Sequence, residues 1–267
     1  MSKRRPRSSR TGTPALQPGS IQLLPVLGLP EFRPGDELAR AIVAAAGKST
    51  IAFEHGDVLV IAQKIVSKVE GRVVDLSTIP PSQAARDLAA KLNKDARLVE
   101  VIVRESRRIV RSEPVLIVET HHGFVCANAG VDQSNLPGGN NASLLPRDPD
   151  ASARKLAASL RKLTRQHVAV IISDTFGRPW RLGLTNVAIG AAGLPVLLDL
   201  RGSHDLHGKP LHATIIAIAD ELAAAAGLVM AKSAGIPAVI VRGYHFRPSK
   251  KSAATQIIRP ATEDLFR

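Results

Sequence analysis

Four apolar runs constrain the fold of this chain more than any other feature. Val58-Leu59-Val60-Ile61-Ala62 is continuous, residues 168–173 and 237–242 are nearly so, and residues 187–198 are apolar with internal glycines. Each is rich in β-formers and of strand length or a little more, so each reads as a buried strand. Helical patterns fill the intervals. Residues 37–46 are Ala-rich, 82–92 and 96–104 carry helical spacing, and 220–230 closes the series. Asp148 reads as the cap of another helix, with Pro149 at its first position, running to about Leu163. Residues 115–119 and 124–129 read as a strand pair across His121-His122-Gly123, and residues 136–149 as a loop. Strands and helices alternate without a regular βαβ period, and no internal repeat is present. The fold class is therefore mixed α/β or α+β, with mixed sheets and flanking helices.

Composition limits the core and the compartment. At 267 residues and 45% apolar content the chain can bury one substantial core, built as two lobes. Aromatic residues are only 3%, so that core is made of Val, Ile, Leu and Ala. The single cysteine, Cys126, excludes an intrachain disulfide framework and suits a reducing cytoplasm; in its apolar run it reads as a plain buried thiol. No apolar stretch is long enough to cross a bilayer, and none follows the basic N-terminus as a secretory signal requires. A cytoplasmic protein without a membrane partner is expected.

The net charge is +13, and Lys3, Arg4, Arg5, Arg7 and Arg10 supply five of those charges, which leaves +8. Residues 1–20 are rich in Ser, Pro, Gly and Arg and read as a disordered basic tail. The domain is expected over 21–247, with a second basic tail at 248–267. The excess charge favours anionic ligands such as nucleotides. It would also suit nucleic acid, but no helix carries basic residues on one face and no aromatic stacking platform is present, so a specific nucleic-acid partner is not expected.

Two acidic stretches carry the chemistry: Ala129-Gly130-Val131-Asp132-Gln133-Ser134-Asn135 and Ile172-Ser173-Asp174-Thr175-Phe176-Gly177-Arg178-Pro179-Trp180-Arg181. In each, an apolar run ends in a lone Asp followed by hydroxyl, amide or Gly residues. A carboxylate just past a buried strand can hold a hard cation such as Mg²⁺ or Mn²⁺, and Asp, Thr and Arg within eight residues suit metal-bound phosphates. Asp also starts turns, so on these residues alone both readings stand. Gln63-Lys64-Ile65-Val66-Ser67-Lys68 leaves the first apolar run with two ammonium groups, which fits either a solvated basic turn or a phosphate partner. Gly47-Lys48-Ser49 is not a Walker A loop, because the Gly that motif needs five residues earlier is Ile42. His204, His207 and His212 lack the context of a zinc site.

With Leu24-Pro25-Val26-Leu27-Gly28-Leu29-Pro30-Glu31-Phe32-Arg33-Pro34-Gly35-Asp36, the 62–72 run and Ala219-Asp220-Glu221-Leu222, these stretches resemble the coenzyme F420-0:γ-glutamyl ligases. The resemblance spans about Ile21 to Phe246 in five colinear motifs. It implies a two-lobed fold and a GTP-dependent ligase that adds L-glutamate to coenzyme F420-0, a deazaflavin precursor, through an acyl phosphate. A further γ-linked glutamate and a homodimer are implied as well. By the same resemblance Leu29, Pro30, Glu31, Phe32, Gln63, Lys68 and Asn135 match nucleotide contacts. Asp132, Asp174 and Thr175 match the positions holding two divalent ions, with K⁺ as a further candidate cation. Lys68 and Arg178 are the candidates for stabilising phosphoryl charge. Asp205 and Glu221 match acidic positions near the site, and Ala231 stands where the family commonly has Gly. Two other readings remain open at this point: a ligase of the same fold acting on another carboxylate, and a nucleotide- or RNA-binding protein without chemistry.

Overall fold

A computed structural model describes residues 19–136, 138–231 and 235–264. The chain opens with β1 (Gln22–Pro25) and α1 (Leu38–Lys48), and β2 (Val58–Ala62) then runs straight into α2 (Gln63–Val69). After β3 (Val73–Asp75) come α3 (Gln83–Leu92) and α4 (Ala96–Arg104), followed by β4 (Ser106–Arg111), β5 (Ile117–Thr120) and β6 (Val125–Ala127). β7 (Asn141–Ser143) precedes α5 (Pro149–Thr164). A long hairpin of β8 (Ala169–Arg178) and β9 (Arg181–Ala192) follows, then β10 (Leu198–Asp199), β11 (Ile215–Ile216), α6 (Ile218–Met230) and β12 (Ala238–Arg242).

The four apolar runs meet in one sheet of order β1-β12-β2-β8-β9, in which β2 and β8 are parallel and the other pairs antiparallel. Strand side chains alternate between faces, and here both faces are covered, which is why these runs are apolar throughout. Leu59, Ile61, Val170, Ile172 and Ile240 pack on α1 and α5. Val58, Val60, Ile171, Val239 and Val241 pack on α6. A third cluster of α3, α4 and β5, around Val99, Ile102, Leu116 and Val118, is the core of a smaller lobe inserted between α2 and α5. The expected mixed α/β class and the two lobes are both present.

The helix ends follow their capping chemistry. Asp148 accepts the Ala151 N–H at 2.8 Å with Pro149 at the first helical position, and Ser82 accepts that of Ala85. The start of α5 lies directly on the sheet. Pro149 approaches Gly190 so closely that a Cβ there would lie 2.4 Å from the Pro149 carbonyl oxygen. Buried Asp150 accepts the N–H groups of Ala191 and Ala254, each at 2.8 Å.

Several elements differ from expectation for physical reasons. The 63–68 run is a helix rather than a turn, because Ile65 and Val66 find core to pack against. β8 continues through Asp174 to Arg178, since its pairing with β9 needs no burial once the backbone hydrogen bonds are made. The register slips between Ile172 and Ser173, whose partners are Gly190 and Ala188, so Ile189 of β9 is the extra residue of a bulge. The 136–149 stretch contains β7, which pairs with β3. The segment after 247, expected as a tail, docks on the sheet: Ser252 and Ala254 are buried, and Ile257 and Ile258 pack on the two clusters flanking it. The expected tail at 1–20 falls outside the described residues except for Gly19 and Ser20.

Candidate active site

The parallel pairing of β2 with β8 stops at Ala62 and Ser173, and a cleft of about 810 Å³ opens beyond that point. Open α/β sheets place ligands at this end of their strands. The 127–135 segment of the smaller lobe, the 29–32 segment and the last turn of α6 (Gly227, Met230) form the other walls. Left-handed backbone at Asn128, Ala129 and Asn135 (φ +54°, +55° and +56°) shapes the loop that carries Asp132. Three such residues within eight is the kind of strain that persists where surrounding structure over-determines it.

Every nucleotide and metal position implied by the resemblance lines this cleft: Leu29, Pro30, Glu31 and Phe32 on one rim, Gln63 and Lys68 on α2, Asp132 and Asn135 on the loop, Asp174 and Thr175 on β8. Lys68 is buried and donates to Glu31 Oε1 at 2.5 Å and to the Asn135 carbonyl at 3.1 Å. One helical turn earlier, Lys64 donates to Asp132 Oδ2 at 2.8 Å, Ser134 Oγ at 2.7 Å and the Ser134 carbonyl at 3.0 Å. Burial pushes the Asp132 carboxyl up, but the Lys64 ammonium and the Ser134 hydrogen bonds outweigh it and hold it below the usual range. Asp174 Oδ1 accepts the Thr175 N–H at 2.8 Å, and Thr175 Oγ1 donates to Asn186 Oδ1 at 3.1 Å. Gln63 is buried, its Oε1 held by the Ser67 hydroxyl at 2.8 Å. The Cys126 thiol is pushed up to about 12 by burial and then by the Asp174 charge, so it stays protonated, as the sequence suggests.

The donors fit a hard divalent cation. Asp132, Asp174, Thr175 and Asn186 offer only oxygens, while no group of three His, Cys, Asp or Glu is placed to hold a metal ion among the described residues. Oxygen donors of this kind are the ligand type that hard divalent cations take.

Other candidates lie elsewhere. Arg178 is not on the cleft within one chain; it is exposed near the hairpin tip, where its guanidinium donates to the Leu182 carbonyl at 2.7 Å. Glu221 is exposed in the first turn of α6, about 13 Å along the helix from the end that reaches the cleft. Asp205 stabilises its own turn by accepting the N–H groups of His207 and Lys209. Gly47 and Lys48 form the last turn of α1, as the absence of a Walker loop requires. Ala231 lines the cleft at φ +22°, in the region that favours glycine. Lys64 and Asn186 are the site residues that sequence reasoning left unassigned. The i, i+4 spacing of Lys64 and Lys68 would have placed both on one face, had the run been read as a helix. The signal for Asn186 is tertiary, because it faces Thr175 only through the hairpin pairing.

A family model described as F420-0:gamma-glutamyl ligase matches residues 27–243. The protein named coenzyme F420:L-glutamate ligase from Methanothermobacter thermautotrophicus is 46% identical over 250 residues, covering 92% of this chain and 99% of the relative. Its namesake from Methanopyrus kandleri is 48% identical over 255 residues, covering 93% and 98%. That from Methanocaldococcus jannaschii is 44% identical over 243 residues, covering 90% and 95%.

Proposed function

This chain belongs to the F420-0:γ-glutamyl ligase family, and from that premise we propose that it joins L-glutamate to coenzyme F420-0, using GTP, to give F420-1 and then a further γ-linked product. The observation that carries this reading is the convergence of two carboxylates, a threonine hydroxyl and two lysine ammoniums in one cleft at the strand ends. A carboxylate is a poor electrophile, so amide formation needs prior activation. In the proposed reaction a carboxylate oxygen of F420-0 attacks the γ-phosphorus of GTP, and the bond to the β-phosphate oxygen breaks to release GDP. The glutamate α-amine then attacks the acyl carbon, inorganic phosphate departs, and the amine gives up a proton.

Asp132, Asp174 and Thr175 would hold two divalent cations, which when bound neutralise phosphate charge during transfer. Lys68, fixed by Glu31 and Asn135, would add a further positive charge to the phosphoryl group, and its burial in the cleft supports that role. The 29–32 segment, Gln63 and Asn135 supply polar and apolar surface for nucleotide recognition. No role is assigned to Arg178 within one chain. The homodimer belongs to the same reading: Leu182 and Leu184 on the β8–β9 hairpin, 97% and 60% exposed, are the apolar surface a second copy would cover. Among the described residues no helix is long and apolar enough to cross a membrane.

The test is GDP release with each substrate omitted in turn, with products followed by mass spectrometry. GDP release that requires both F420-0 and glutamate, with a product heavier by one glutamyl residue, is expected. Release without glutamate incorporation would refute ligation. Equal specificity constants for GTP and ATP in direct competition would refute the choice of nucleotide while leaving ligation standing.

A further inference from the structure

Among the described residues, Lys64 is a cleft cation to which the proposed chemistry gives no task of its own, and its surroundings are unusual for a lysine. Its ammonium has three oxygens around it: Asp132 Oδ2 at 2.8 Å, Ser134 Oγ at 2.7 Å and the Ser134 carbonyl at 3.0 Å. The Lys64 side chain is 19% exposed, so this is neither a solvated surface pair nor a sealed internal one. The Ser134 N–H and hydroxyl also bind Asp132, at Oδ1 and Oδ2, and so fix the carboxylate facing the ammonium. A carboxylate, a hydroxyl and a carbonyl are the donors from which hard-cation sites are built. The ammonium therefore occupies one of the carboxylates to which the proposed function assigns a divalent ion. Lys68 is tied differently, to Glu31 and the Asn135 carbonyl, and touches neither Asp132 nor Asp174 in its hydrogen bonds.

We propose that Lys64 is an internal counter-cation for Asp132, which a divalent ion must displace before Asp132 can bind metal. This inference rests on the metal assignment in the proposed function and goes beyond it by giving the metal-free protein a defined charge arrangement. Asp132 is half-buried, its side chain 39% exposed, so water screens part of its charge and the Lys64 ammonium offsets the rest while the cleft is empty. The same contact makes metal binding weaker than the bare donors would allow. A polyphosphate entering the cleft offers the ammonium a new anion, which releases Asp132, so nucleotide and metal are expected to favour each other's binding.

The test measures Mn²⁺ affinity of the nucleotide-free, full-length protein by electron paramagnetic resonance of the free ion. Lys64→Met and Lys64→Gln are expected to bind Mn²⁺ about tenfold more tightly than the unaltered protein, because a charge-assisted competitor is gone. Lys64→Arg keeps the charge and should bind as weakly as the unaltered protein or more so. Asp132→Asn should lose this binding. Unchanged or weaker Mn²⁺ binding in both neutral variants, with Asp132→Asn still defective, would overturn the exchange and leave Lys64 as a staple between α2 and the loop. Unaltered Mn²⁺ binding in Asp132→Asn would overturn the metal assignment itself, and the exchange with it.

Discussion

Gly190→Ala should destabilise the protein by about 3–5 kcal/mol, although it adds a single methyl group. That methyl would lie 2.4 Å from the Pro149 carbonyl oxygen and 2.6 Å from its carbon. Carbon–oxygen contacts normally begin near ~3.3 Å, so the start of α5 must withdraw by about 1 Å. Asp150 is the next residue, and it holds the Ala191 and Ala254 N–H groups at 2.8 Å. The same withdrawal takes those bonds to ~3.8 Å, beyond useful length. Forcing a methylene-sized group into packed structure costs roughly 1–3 kcal/mol, and hydrogen bonds to a charged group contribute about 1.5–3 kcal/mol. The sum corresponds to a melting temperature lower by roughly 10 °C for a domain of this size. Urea denaturation and thermal melts of the full chain provide the measurement. Asp150→Asn, which keeps an oxygen acceptor but loses its charge, should fall between the two proteins. A loss below about 1 kcal/mol for Gly190→Ala would show that α5 can slide on the sheet, and the reasoning would fail.

Asp174→Asn and Asp132→Asn should each lower turnover by ~10²-fold or more with melting temperature little changed, since an amide cannot replace a carboxylate at a doubly charged ion; near-normal turnover of either variant at saturating Mn²⁺ would remove the metal assignment. Burial raises the Asp220 carboxyl against the pull of the Ala188 N–H, so the folded state holds its proton to higher pH than the unfolded chain does. Its contribution to stability is therefore greatest when protonated and is lost as pH rises from about 3.9 through the raised value. Asp220→Asn should accordingly gain stability over the unaltered protein between pH 4 and pH 7 in urea titrations, and an advantage that does not grow with pH would refute the burial argument. Removing residues 1–18 should leave activity and melting temperature unchanged, because that segment is rich in Ser, Pro, Gly and Arg and precedes the first family-matched residue, Leu27; a large loss in either assay would make it part of the working protein.

The central sheet was legible because its strands are apolar on both faces, and a run such as Val58-Leu59-Val60-Ile61-Ala62 has few other ways to fold. The cap at Asp148 was legible for a local reason, since its side chain satisfies a donor three residues on. What failed was non-local. The helix over Gln63–Val69 is too short and too basic to announce itself, and exists because Ile65 and Val66 meet the core. β8 beyond Ser173 is held by pairing with a partner strand whose outer part is exposed and so leaves no burial pattern to read. At the site, Asp132, Asp174 and Thr175 could be named from their own stretches with the resemblance as guide. Arg178 looked equivalent by spacing, but pleat and hairpin carry it away from the cleft. Glu221 lies away from the cleft for another reason: α6 reaches the cleft with its opposite end.

The strand order also has a consequence for the protein's birth. β12 lies between β1 and β2, so Gln22 at one extreme of the domain pairs with Arg242 at the other. During synthesis β1 waits for its neighbour β12 until more than two hundred residues have followed it, and one edge of β2 stays open until the same strand is made. A ribosome stalled before Ala238 would leave an apolar strand edge with nothing to pair with but another nascent chain. Arg242, the last residue of β12, then seals the closed sheet by gripping buried Asp57 in two bonds of 2.8 Å. For this topology the central sheet can close only after β12 has been made, and termination before it yields a sticky fragment rather than a smaller folded domain.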